Sequence, residues 1–405
     1  MYIPLMTHKL LLWLAVISVP TTASAFDRAA WKSDFARLKV ALAQNYANLD
    51  WQVERRGFNL ARADRFISAA IDDAKDDTAA TLATVKLVQA FNDPHLELRS
   101  GSPPASATLV PLSSDLGGPA ARPNGCDAGG YSDGQAATRL PYASAPGWVA
   151  VRATPFQAGS IGDVGIIRIP SFGEDQYKSV CGAVARPSLA GRDLQLATRA
   201  ELNRRLVALV STLRTRGMKR LVIDLSRNGG GSEWSSEAIS LFTPGPLKRG
   251  EPRLAGAKCH RSGMWRGNKA PCTIYASSPT TETIGSARDK PAWSGPLAIL
   301  ADQRTASAAE EFITWARDNG RAVLGGIRTA GAGCGYVNGG SAFRFTAVPM
   351  YLMIPNCSRY TKDGTNEIEG QKPDLAIDWP TTKPTDVPAA LDELFSLKPK
   401  QPPAR

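Results

Sequence analysis

Histidine is scarce in this 405-residue chain, which holds only His8, His95 and His260. The six cysteines show no Cys-x-x-Cys spacing, and only Cys259-His260 puts two potential ligands side by side, so no metal site is expected. Aromatic residues make up 7% of the chain and do not cluster with its lysines and arginines, so the net charge of +11 has no nucleic-acid-binding motif behind it. What the charge leaves open is a favourable field for anionic substrates or cell-envelope surfaces. Long apolar runs are missing too: none reaches the roughly 20 residues that a membrane-spanning helix needs.

The N-terminus has its own pattern. His8 and Lys9 precede the apolar run 10–19, and Ala23-Ser24-Ala25 offers a small-x-small cleavage site before Phe26. This is the pattern of a secretory signal peptide over residues 1–25. The expected mature protein is exported, periplasmic or secreted, with no membrane span after signal removal. Its charge falls to +10, because the removed segment carries Lys9 and no acid. An even number of cysteines in an exported chain predicts disulfides, although six cysteines allow about 15 pairings. Local pairing is the simplest choice: Cys259 with Cys272 and Cys334 with Cys357, which leaves Cys126 with Cys181.

Three helices are expected in the first part of the mature chain. Trp31, Phe35, Leu38, Leu42 and Tyr46 share one face; Phe66, Ala70 and Ala74 suggest a second helix; Leu82, Val85, Val88 and Phe91 a third, capped by Asp77-Thr78 and stopped by Pro94. Asp93-Pro94-His95 then leads into the alternating residues 96–99, so His95 sits at a helix-to-strand junction. Residues 101–147, rich in Gly, Pro, Ser and Ala, read as a loop-rich insertion. Val164, Ile166, Ile167 and Ile169 read as a buried strand, Leu202, Leu206, Leu209, Val210 and Leu213 as an amphipathic helix, and residues 221–225 as the next strand. Consecutive glycines follow it in Asn228-Gly229-Gly230-Gly231, where backbone N–H groups can approach a ligand closely. Such a loop also suits phosphate, but no Walker lysine follows. Residues 243–293 have no strong period and read as an elaborated surface loop beside the substrate cleft.

The densest chemical signal is the run 297–331. Leu297, Ala298, Ile299 and Leu300 form a buried strand; Thr305, Ala306 and Ser307 make a turn of small residues; from Ala308 onward Phe312, Ile313 and Ala316 recur at helical spacing, with Glu310, Glu311, Arg317 and Asp318 on the other face and Asn319-Gly320 as the stop. Ser307 at a helix N-terminus is placed for acyl transfer, because the unpartnered N–H groups there favour developing negative charge.

Residues 305–310, the run Asp318-Asn319-Gly320-Arg321-Ala322, and Gly326, Thr329 and Gly331 resemble the nucleophile segment of the C-terminal processing (tail-specific) serine peptidases. The resemblance implies a ClpP/crotonase-like α/β catalytic domain, here preceded by a small helical domain, with Ser307 as nucleophile and no cofactor. The general-base lysine that follows the aligned glycine in the tail-specific branch is replaced by Ala332, which points to the tricorn-core-like branch with a Ser-His-Glu arrangement. The Asp-x-His segment maps the base onto His95. Asp224-Leu225-Ser226-Arg227-Asn228-Gly229-Gly230-Gly231 is similar to the family's oxyanion segment, which maps the oxyanion hole onto the N–H groups of Gly230 and Ala308, with Gly231 as the nearest alternative to Gly230. Glu367, seven residues before Asp374 of Pro373-Asp374, aligns with the third catalytic group, and Glu369 is its neighbour and rival. The PDZ domain of many relatives has no clear counterpart.

The expected organisation is therefore a signal peptide (1–25), an N-terminal helical domain (26–100), a loop-rich insertion or linker (101–158) and an α/β serine peptidase domain (159–395). The expected activity is hydrolysis of peptide bonds in proteins or peptides by an exported serine endopeptidase. The alternatives are a catalytically inactive peptide- or ligand-binding protein on the same fold, or a non-peptidase serine hydrolase.

Overall fold

Five consecutive apolar residues, Leu297–Ala301, are buried on both faces, as a strand must be when helices cover both sides of its sheet. In the computed structural model, which describes residues 25–104, 107–109, 125–134, 141–256, 259–274, 280–285 and 290–400, this strand lies third in a seven-stranded sheet. The order is Leu375–Ala376, Val323–Gly326, Leu297–Ala301, Arg220–Asp224, Val164–Arg168, Gln157–Ile161 and Val149–Val151. The first five strands run parallel, and Gln157–Ile161 pairs antiparallel with both Val164–Arg168 and Val149–Val151. The mixed α/β architecture expected from the sequence is present, with a helical region at the N-terminal side. The expected signal peptide falls on residues 1–24, outside the described residues, apart from Ala25.

Each face of the sheet carries its own core. On one, helix Gly191–Thr215 contributes Leu202, Leu206, Leu209, Val210 and Leu213, and helix Ala308–Asp318 contributes Phe312, Ile313 and Trp315. On the other, Tyr142 and Trp379 pack with Leu391 and Leu394 of helix Val387–Ser396. A separate core joins the N-terminal helices Arg28–Asn45, Leu60–Asp73 and Asp77–Phe91 to the hairpin strands Ser341–Arg344 and Met350–Ile354 through Trp31, Leu38, Phe91, Phe343 and Leu352. This core positions the site. Strand Glu97–Ser100, which begins two residues after His95, pairs with Met350–Ile354 of the hairpin that follows the Ser307 segment.

The structure corrects several details of the expected pattern. Phe66 and Leu82 are exposed, at 59% and 52%, while Ile67, Ile71 and Leu87 face the core. Asp76, not Asp77-Thr78, caps the third helix by accepting from Ala79 N–H, and Asn92 ends it in the left-handed conformation. The basic loop around Cys259 is not wholly a surface loop. Arg261 is buried, donating to Asp50 at 2.9 Å and to the carbonyls of Ala43 and Tyr46, and Met264 and Trp265 join the helical core. A buried guanidinium needs such partners, since an unpaired charge there costs several kcal/mol on the order seen for broken buried pairs. Disulfides join Cys126–Cys181, Cys259–Cys272 and Cys334–Cys357, and among the described residues no cysteine is free.

Candidate active site

The turn between strand Leu297–Ala301 and helix Ala308–Asp318 holds Ser307 at φ 55°, ψ −121°. A positive φ is uncommon for a residue with a Cβ and costs on the order of 1–3 kcal/mol, so the surroundings must hold it. They do: Ser307 N–H donates to Glu310 Oε2 at 3.0 Å, and Ala306 N–H donates to the Asn228 carbonyl at 2.9 Å. Glycine is required beside it. A Cβ on Gly230 would stand 2.7 Å from Ser307 Cβ and 2.9 Å from Ala308 N.

His95 reaches this serine from the N-terminal side, with its Nε2 3.2 Å from Ser307 Oγ. The ring's Nδ1 lies 2.8 Å from the Ala332 carbonyl oxygen. A carbonyl only accepts, so Nδ1 carries the proton and Nε2 of the neutral ring is left to accept from the Ser307 hydroxyl. Two further contacts fix the segment: His95 N–H donates to Asp93 Oδ1 at 2.9 Å, and the Tyr336 hydroxyl donates to the His95 carbonyl. Burial raises the Asp93 carboxyl above its ordinary range, against the lowering effect of His95. The other histidine among the described residues, His260, is exposed on its loop.

Two expected site residues are not where the sequence placed their chemistry. Both Glu367 oxygens accept from Arg359 Nε, each at 2.9 Å, and the acceptor at His95 Nδ1 is the Ala332 carbonyl, not Glu367. The reason is Arg359, a fully buried guanidinium eight residues earlier that needs a carboxylate of its own. Glu369 is exposed. Gly230, for its part, has no free N–H: it donates to Asn228 Oδ1 at 2.8 Å. The N–H groups of Gly231 and Ala308 have no acceptor among the described residues, and both residues line a cavity of about 350 Å³ that also touches Ser307. A larger cavity, about 500 Å³, lies among the N-terminal helices near Arg62 and Phe66 and does not include Ser307.

Beneath the serine, Glu310 and Asp318 of the polar face of helix Ala308–Asp318 are buried, while Glu311 and Arg317 are half-buried. Glu310 is 0% exposed; burial pushes its carboxyl up to about 7, against the pull of donors from Thr329, Gly331 and Ala332. Burial also opposes ionisation of Glu311, but Arg249 and Arg359 outweigh it and hold that carboxyl down at about 2. The Arg249 guanidinium stacks 4.0 Å over the Trp315 ring. The Ser-x-x-Glu spacing from Ser307 to Glu310 is the one sequence signal for the Glu310 contact, as half of a capping box.

Residues 163–377, more than half of the chain, match the peptidase family S41. The chain belongs to peptidase family S41. It is accordingly a serine-type peptidase, a hydrolase acting on protein or peptide substrates. The S41 fold is similar to that of a putative peptidase from Parabacteroides merdae ATCC 43184, with a TM-score of 0.56, 16% identity, and 90% of this chain and 96% of that one covered. It is also similar to mature CPAF complexed with lactacystin, with a TM-score of 0.59, 13% identity, and 91% and 98% covered. No curated protein sequence matches the chain. In this S41 peptidase the position of the missing lysine, Ala332, is buried, and its backbone carbonyl meets the histidine ring.

Proposed function

We propose that this peptidase is an exported endopeptidase that cleaves peptide bonds with Ser307 as nucleophile and His95 as general base. The observation that carries the reading is the pair of contacts on one imidazole, Ser307 Oγ at Nε2 and the Ala332 carbonyl at Nδ1. As Ser307 Oγ attacks the scissile carbonyl carbon, its proton passes to His95 Nε2. The tetrahedral oxyanion is taken by the N–H groups of Gly231 and Ala308, which have no acceptor of their own among the described residues. His95 then returns the proton to the leaving amine as the C–N bond breaks. Water, deprotonated by the same ring, hydrolyses the acyl-serine. Export is supported by the N-terminal pattern of residues 1–25 and by the three disulfides.

The test is cleavage of an unfolded protein, with internal fragments identified by mass, alongside labelling by a serine-directed fluorophosphonate. Ser307→Ala abolishes labelling and cleavage, His95→Ala lowers kcat/KM by about 10³-fold or more, and the double variant is little worse than either. Independent, multiplicative losses would refute the pairing. Full activity in His95→Ala would remove His95 as the base.

A further inference from the structure

Glu310 is wholly buried and meets five donors, and among the described residues no cation pairs with it. Its Oε2 accepts from the N–H groups of Ser307 at 3.0 Å, Ala332 at 2.9 Å and Gly333 at 3.3 Å. Its Oε1 accepts from Gly331 N–H at 2.8 Å and from the Thr329 hydroxyl. The Gly333 N–H and the Ala332 carbonyl belong to one peptide group. That group therefore accepts from His95 Nδ1 at its oxygen and donates to Glu310 at its nitrogen. A negative charge at the nitrogen end polarises the peptide so that its oxygen becomes a stronger acceptor, the cooperative effect expected of hydrogen bonds in series.

We propose that Glu310 is the positioning carboxylate of the Ser307–His95 pair, acting through the Ala332–Gly333 peptide. It fixes the Ala332 carbonyl against the ring, and its charge stabilises the imidazolium that forms when Ser307 gives up its proton. No proton crosses the peptide; Nδ1 keeps its own throughout. The same carboxylate holds the Ser307 backbone, so one buried group sets the geometry of nucleophile and base together. The inference rests on the Ser307–His95 reading above.

The groups facing this unit come from four elements. Glu367 adds a like charge that raises the Glu310 carboxyl, and is itself paired with Arg359. Glu311, next on the helix, is held by Arg249 and Arg359. Asp93 and Tyr336 contact the His95 backbone. Of the nearby carboxylates, Glu367 and Glu311 have cations on them. Asp93 is buried but meets the His95 backbone N–H, not the ring. Glu310 is therefore the unpaired carboxylate joined to the ring by hydrogen bonds, through the Ala332–Gly333 peptide.

The experiment is the pH profile of kcat/KM for the full-length mature protein and for Glu310→Gln, Glu310→Asp and Glu367→Gln. Glu310→Gln keeps the shape and removes the charge. It is expected to lower kcat/KM on the order of 10²-fold and to move the acidic limb to lower pH by about half a unit or more. Glu310→Asp keeps the charge and is expected to keep the limb in place at a reduced rate, and Glu367→Gln to leave the limb unmoved. A role in folding alone would lower the rate in Glu310→Gln without moving the limb, and that result overturns the proposal. So does a limb that moves in Glu367→Gln but not in Glu310→Gln.

If Glu310→Gln fails to fold, ¹⁵N NMR of His95 in a His260→Asn background decides: the Nδ1–H tautomer is required, and the Nε2–H tautomer overturns the proposal. Wild-type kcat/KM in His95→Ala would instead remove the reading beneath it. An inactive His95→Ala together with an unmoved limb in Glu310→Gln overturns only the role of Glu310.

Discussion

Three consecutive glycines behind the nucleophile make a graded test, because an added methyl meets a different environment at each. At Gly229 it meets nothing within 4 Å, and the residue has no positive φ. At Gly230 it meets Ser307 Cβ at 2.7 Å, the Ala306 carbonyl at 2.8 Å and Ala308 N at 2.9 Å, on a backbone at φ 102°. At Gly231 it meets the backbone itself, Gly173 N and Phe172 C at 2.1 Å, at φ 146°. Alanine at 229 should change stability by no more than about 0.5 kcal/mol. Alanine at 230 carries a backbone cost of about 1–3 kcal/mol and an overpacking cost of similar size, roughly 2–6 kcal/mol together. That is tolerable against a typical stability of about 5–15 kcal/mol. To reach an ordinary contact distance Ser307 must shift by ~1 Å, a misplacement that costs about 10²-fold in rate. At 231 the methyl would have to part Phe172 from the loop it bridges, where Phe172 N–H donates to Gly230 at 2.8 Å and Ser232 N–H donates to Phe172 at 3.0 Å, and the protein should not accumulate folded. Urea unfolding, kcat/KM and the rate of fluorophosphonate labelling would be measured on all three. A Gly230→Ala protein within twofold of wild type in kcat/KM would refute the packing of Gly230 against the nucleophile.

The Cys334–Cys357 disulfide closes a 23-residue separation and starts two residues beyond the carbonyl that meets His95. Replacing both cysteines by alanine should cost about 3 kcal/mol in urea unfolding and lower kcat/KM as well, whereas loss of Cys259–Cys272 should lower stability alone. Stability should also fall as pH rises from about 4.5 to about 7, because the unfolded chain releases the Glu310 proton near 4.5 while the folded chain holds it to about 7. The loss is on the order of 3 kcal/mol over that window, and Glu310→Gln should flatten the slope; Asp318, pushed up to about 6 by burial, keeps part of it.

What the sequence made legible follows the range of the forces involved. Strand Leu297–Ala301, the Ser307 turn and helix Ala308–Asp318 are local patterns, and all three stand where the periodicity put them. The helix-to-strand junction at His95 is local too. Strand Gln157–Ile161 and the edge strand Val149–Val151 were missed because they are short, contain Ala or Gly, and gain their strand character from their neighbours, Gln157–Ile161 from Val164–Arg168 and Val149–Val151 from Gln157–Ile161. The burial of Glu310 on the face opposite the apolar residues was not legible, because the loop that buries it, residues 329–333, arrives from about 20 residues away in sequence. Glu367 illustrates the same limit: its count from Asp374 is visible, but the claim of Arg359 on its carboxylate arises only in the fold.

Glu310 also explains why activity and stability should respond to pH in opposite directions. A carboxylate that receives five hydrogen bonds yet has no cation is costly to ionise when buried, which is why its proton is held to about 7. Below that pH the group is neutral, the fold is at its most stable with respect to this site, and the peptide between Glu310 and His95 lacks the charge that polarises it. Raising the pH creates the charge, weakens the fold and strengthens the acceptor at Nδ1. Pairing Glu310 with an arginine, as Glu367 is paired, would relieve the destabilisation but cancel the field at the ring. The two buried glutamates are thus not interchangeable: the one with a cation braces the loop from behind, and the one without it is the carboxylate that can act on the histidine. Coincident pH trends, with stability and kcat/KM rising together through neutrality, would contradict this division of roles.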